Sequence, residues 1–193
     1  VTDYWSFNSK NLTPQPGKAT LEAHWIGFGI AVPTFNVEGT EVNALPGVDP
    51  GSALGFYDLA TVASHHALVL SGLDFTGQSG VSLSYAVWSH GFFEIGEKAT
   101  ISYKIGDGAW SAAVEVDLPT ATWAVREYYF GSALDNASNV SIRISHNAWF
   151  EGSEFLAFDN LTVTVVPEPA VTAVACAAGL GLLAAIRRRR NRS

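Results

Sequence analysis

Two segments of this 193-residue chain repeat an order of side chains that can do chemistry. Ser89-His90-Gly91-Phe92-Phe93-Glu94 and Ser145-His146-Asn147-Ala148-Trp149-Phe150-Glu151 each set a His, aromatic rings and a carboxylate just past an alternating apolar run. If the two preceding strands are neighbours, His90 and His146 meet at one rim. Their imidazole nitrogens could then ligate a transition metal, or Trp149 and Phe92 could stack on a pyranose. The plainer reading of the same residues is His capping loops and aromatics filling a sheet edge. His65 and His66 are consecutive, so in a strand they point to opposite faces and cannot share a metal.

The six tryptophans, Trp5, Trp25, Trp88, Trp110, Trp123 and Trp149, are many for the length. Tryptophan is mostly buried, and a sandwich without disulfides needs large core residues. Trp110, beside Asp107-Gly108, and Trp149, in a loop, are the two expected to be accessible to a sugar. Glu115-Val116-Asp117-Leu118-Pro119-Thr120 begins the Glu-x-Asp-x-x-Glu pattern that puts an acid and a nucleophile on one strand face, but Thr120 stands where the second Glu is required. The two-carboxylate mechanism is incomplete there. No nucleophile elbow, Walker loop or His-Glu-x-x-His helix is present in the sequence, so no catalytic residue is assigned.

The elements that must position these residues are strands. Hydrophobic residues make up 48% and charged residues 15%, enough apolar surface for a folded core. Short alternating runs bounded by Gly, Asp, Asn and Pro predict strands over His66–Phe75, Val81–Ser89, Ala99–Ile105, Ala112–Leu118, Trp123–Phe130, Val140–Ser145 and Glu154–Val165. That spacing reads as an all-β sandwich over residues 1–165. Asp107-Gly108 predicts a hairpin turn with positive φ at consecutive positions. From Asn8 to Gly55, Pro14, Pro16, Pro33, Pro46 and Pro50, with the glycines, predict long loops between one or two outer strands.

Residues 71–77 (Ser-Gly-Leu-Asp-Phe-Thr-Gly), 82–85 (Ser-Leu-Ser-Tyr), the 103–110 hairpin and the closing 155–163 strand (Phe-Leu-Ala-Phe-Asp-Asn-Leu-Thr-Val) together resemble the extracellular jelly-roll sandwiches of carbohydrate-binding modules and MAM-like domains. MAM-type domains carry cysteines that this body lacks, so the nearer likeness is to thiol-free bacterial modules. The resemblance implies a structural Ca²⁺ held by Asp159 of the last strand, with Asp3 of the first as its partner. Calcium takes six to eight oxygens, so backbone carbonyls or water must complete the set.

Charge divides the chain. Residues 1–166 hold six Lys and Arg against 17 carboxylates, a net −11, whereas residues 167–193 hold five Arg against Glu168, a net +4. An acidic body argues against nucleic acid as a partner. The lone Cys176 lies in the tail, so the body has no disulfide.

The tail runs Val166-Pro167-Glu168-Pro169, then the uncharged Ala170 to Ile186, then Arg187, Arg188, Arg189 and Arg190. Seventeen helical residues reach roughly 25 Å, short of a hydrocarbon core of about 30 Å; snorkelling arginines reduce the mismatch and keep that end cytoplasmic. Pro-Glu-Pro, an apolar helix and an Arg cluster, in that order, resemble the PEP-CTERM sorting signal of Gram-negative bacteria. The resemblance implies export, transient anchoring of residues 166–193 in the inner membrane, recognition of Pro167, Glu168 and Pro169 by an exosortase, and delivery to the cell surface or exopolysaccharide matrix. The expectation is a non-enzymatic surface or matrix protein. A carbohydrate-binding module and a polysaccharide hydrolase or lyase are the alternatives.

Overall fold

The computed structural model of the chain describes residues 3–14, 17–26, 34–57, 65–90, 98–119, 121–146 and 155–167. Among them run β1 (Asp3–Trp5), β2 (Thr20–Ile26), β3 (Thr34–Glu38), β4 (Ser52–Tyr57), β5 (His65–Leu73), β6 (Gln78–His90), β7 (Lys98–Ile105), β8 (Val114–Asp117), β9 (Ala124–Tyr129), β10 (Val140–His146) and β11 (Phe155–Pro167). They make two antiparallel sheets. The first is ordered β3-β4-β11-β6-β9, with β1 also on β11; the second is β2-β5-β10-β7-β8.

Period-two patterning explains the layering. On β6, Val81, Leu83, Tyr85 and Val87 are buried while Ser82 and Ser84 are half-buried on the other face. On β10, Val140, Ile142 and Ile144 are buried and Arg143 turns outward. One apolar cluster joins these rows with Leu54, Phe56, Leu68, Leu70, Ile101, Leu156 and Phe158, so both sheets share a core. The expected all-β sandwich is present.

Three local expectations change. Three strands, β2 to β4, begin between residues 8 and 55, where one or two were expected. Their patterning is interrupted by Pro and Gly, and they are fixed by pairing: β2 on β5, β4 on β11 and β3 on β4. The Asp-Gly turn sits one residue early: Gly108 N–H bonds to Ile105 O at 3.1 Å, and the positive φ falls on Gly106 at 56°. Gly106 tolerates that conformation without steric cost. The last strand continues past residue 165 to Pro167, which pairs with Gln78.

β11 is interrupted twice. Its register with β6 shifts between Asp159 and Thr162 and again between Thr164 and Val166, and at the first shift Asn160 takes φ 49°. Such a bulge re-aims side chains, and Asn is among the few non-glycine residues that tolerate this region.

Candidate functional site

The outer face of the first sheet carries a second, smaller apolar cluster. Ala53, Ala157 and Phe155 are buried in it, with Val37, Trp88 and Trp123 packed against them. The floor is made by small residues in register: Ala157 lies opposite Trp88 on one side and Gly55 on the other. Gly55 is required, since a Cβ there would sit 2.6 Å from Val37 Cγ2 and 2.7 Å from the Phe155 ring. The Trp88 and Trp123 ring centroids are 6.1 Å apart with planes 31° from parallel, and Phe155 meets Trp88 edge-on at 5.1 Å. Asn36, Val37, Glu38, Trp88 and Trp123 line a groove of about 330 Å³. Half-buried indoles beside an amide and a carboxylate suit a pyranose, whose C–H faces stack on rings and whose hydroxyls need donors and acceptors. Sequence reading missed this pair: Trp88 and Trp123 lie 35 positions apart, and the β6–β9 pairing that brings them together is not visible in spacing.

The second sheet presents a different surface. Trp110 is half-buried, with Arg143 Cζ 4.3 Å from its ring centroid and Lys104 Nζ 5.4 Å away. Ser111 N–H bonds to Tyr103 O at 2.7 Å and Tyr103 N–H to Ser111 Oγ at 3.0 Å, folding the hairpin so that its indole meets both cations. Arg143 Nε donates to Ser102 Oγ at 3.2 Å. Lys98 on the same sheet is instead paired with Glu115 at 2.9 Å and Asp117 at 3.8 Å, so both carboxylates of the incomplete acid pattern face a lysine. Trp110 is half-buried, as Trp88 and Trp123 are, and a guanidinium occupies a ring face that a sugar would use.

Asp159 is wholly buried. Its Oδ2 accepts the Thr40 amide hydrogen and its Oδ1 that of Asn160, both at 2.8 Å. Burial pushes its carboxyl up to about 7, against the pull of those two donors. Asn160 Nδ2 donates to Thr40 O at 2.6 Å and Val42 O at 2.9 Å, and its Oδ1 accepts from Tyr4 Oη at 2.5 Å. The dipeptide therefore clamps residues 40–42 to β11. Asp3 does the same at the other end of the first sheet, its Oδ1 accepting from Lys18 N (2.7 Å) and Ala19 N (3.0 Å).

Solved structures similar to this chain include an exo-β-agarase (TM-score 0.58, 12% identity, covering 86% of this chain and 25% of that one). A second is the enzymatically active domain of tailspike protein 4 of bacteriophage CBA120 (0.55, 10%, 83% and 20%). A third comes from a study of promiscuous specificity in carbohydrate-binding modules of the β-sandwich superfamily (0.53, 16%, 83% and 60%). The fold is that of the carbohydrate-binding-module sandwiches. No family model and no curated protein matches the chain. It spans from a fifth to three fifths of the length of these three solved chains.

Sandwiches of this kind suggested a calcium ion between Asp3 and Asp159, and the two residues do not fit one. Asp3 lies opposite Val163, on the far side of the bulge from Asp159, and the oxygens named above already accept backbone N–H groups of different segments. Among the described residues no three His, Cys, Asp or Glu cluster for a metal. The strands ending in His90 and His146 are not neighbours: β6 lies in the first sheet and β10 in the second, where His146 is in register with His66. The two imidazoles lie outside what is described, as do Trp149, Glu168, Pro169 and Arg187 to Arg190. Pro167 is described as the last residue of β11.

Proposed function

We propose that the chain is an exported surface or matrix protein whose sandwich binds polysaccharide, without cleaving it, through the Trp88–Trp123 groove. The observation that carries this reading is the pair of tilted indoles facing Asn36 and Glu38 across about 330 Å³, within the usual size of a small-ligand site. The likeness in fold to carbohydrate-binding modules supports it. Glu38 is an acceptor for sugar hydroxyls here, and Asn36 supplies both a donor and an acceptor. The C-terminal order of Pro167-Glu168-Pro169, apolar run and arginines supports sorting by an exosortase at the inner membrane, and thereby delivery outside the cell.

Affinity electrophoresis of the full chain on a panel of neutral polysaccharides tests the binding. Retention on at least one polymer, lost in Trp123→Ala and weakened in Asn36→Ala with melting temperature held, is the expected result. Retention on none, or retention that survives Trp123→Ala, rejects the groove. Intact mass of the protein from cells with and without the sorting peptidase tests the tail; a full-length C-terminus in both rejects processing.

A further inference from the structure

We infer that the outer face of the second sheet holds a separate site for carboxylated polysaccharide, a polyuronate, formed by Arg143 and Lys104 around Trp110. The starting point is a local charge excess that the rest of the molecule does not explain. Residues 1–166 hold only six cations among 17 carboxylates. Two of the six converge on one indole. In register, Lys104 lies opposite Ser141 and Arg143 opposite Ser102, so the cations are diagonal neighbours on one face, where like charges repel.

Among the described residues neither cation has an ion-pair partner, although Lys98 on the same sheet has two. The nearest acid by register is Glu22 on β2, which lies two strands from Arg143 across Val69, about 10 Å away. Arg143 gives its Nε hydrogen to Ser102, and its Nη groups have no acceptor among the described residues. A guanidinium held over an indole and fixed through its Nε leaves its Nη groups for a planar, two-oxygen acceptor. A carboxylate meets that demand. Lys104 offers a point charge to the next one along a polymer.

The hydroxyls beneath the cations are mostly committed. Ser102 and Ser141, on β7 and β10, are buried; Ser102 Oγ accepts from Arg143, and Ser141 Oγ lies 3.5 Å from Ser71 Oγ. Half-buried Ser71 on β5 is the hydroxyl at the edge of this face that can bond a sugar hydroxyl. The body's net charge opposes a polyanion at long range, but at physiological salt the screening length is about 8 Å, so contact is governed by these local cations.

This site is independent of the tryptophan groove on the opposite sheet. The experiment is affinity electrophoresis of the full chain on polygalacturonate and on the same polymer fully methyl-esterified, at low and high salt. Expected is retention on the acidic polymer that falls about tenfold in Arg143→Gln, falls in Lys104→Gln, weakens with salt, and persists in Trp123→Ala. Lys104→Gln at an outward strand position keeps the test open should Arg143→Gln unfold. No retention on the acidic polymer, equal retention after esterification, or loss in Trp123→Ala with both cation variants unchanged overturns the proposal.

Discussion

Asp159 Oδ2 accepts the amide hydrogen of Thr40 at 2.8 Å across 119 positions of sequence. The bond ties the loop after β3 to the bulge of β11, and it is made by a carboxyl whose surroundings resist charge. Its folded-state value of about 7 lies above the ordinary 3.8 because burial outweighs its two amide donors. Between about pH 4 and pH 7 the folded chain therefore retains a proton that the unfolded chain releases, so stability declines as pH rises through that window and levels off above it. The full effect is at most a few kcal/mol. Melting temperatures from pH 4 to 8 should show this slope, and Asp159→Asn should flatten it; an equal slope in both proteins would assign it to other groups.

The neighbouring amide bears more of the structure. Asn160→Ala removes the acceptor of Tyr4 Oη, leaves Thr40 O and Val42 O without their side-chain donor, and places Ala at φ 49°. A loss on the order of 3 kcal/mol is expected in urea unfolding, against about 1 kcal/mol for Tyr4→Phe. A cost below that of Tyr4→Phe would show that the clamp contributes little.

Gly55→Ala addresses the groove floor. The added methyl group would press on Val37 and on Phe155, which supports Trp88. Overpacking of this kind costs about 1–3 kcal/mol. Chemical unfolding gives the cost, and polysaccharide retention should fall with it because the Trp88 wall shifts. Unchanged stability and retention would mean that the floor is looser than its contacts imply.

Calcium gives a fourth expectation. With Asp3 and Asp159 apart and bonded to amides, melting in EDTA and in excess Ca²⁺ should agree to within about a degree. A calcium-dependent rise of several degrees, which at this size corresponds to more than about 1 kcal/mol, would require the two ends of β11 to reorganise around the ion.

What was legible in the sequence follows from the range of the forces involved. Alternation marked the seven later strands, most plainly β6, where Val81, Leu83, Tyr85 and Val87 are buried in the core. It was weak before residue 55, where β1 is three residues long and is secured by pairing with Leu161 to Val163. The site was less legible. Trp110 was expected to be accessible, yet nothing in its neighbourhood announced Arg143, 33 positions away, over its ring. Trp88 read as core because tryptophan is mostly buried and a disulfide-free sandwich needs large core residues; only the register with Ala157 and the packing of Trp123 put it on the outer face. The Asp159-Asn160 pair drew notice as a cation site, whereas its partners are loop amides and carbonyls that no motif encodes.

The placement of β11 has a mechanical meaning. It is gripped by β6 along one edge and by β4 and then β1 along the other, and the strand ends at Pro167. Tension applied beyond that point runs along the strand axis, so many hydrogen bonds share the load in shear instead of unzipping one by one.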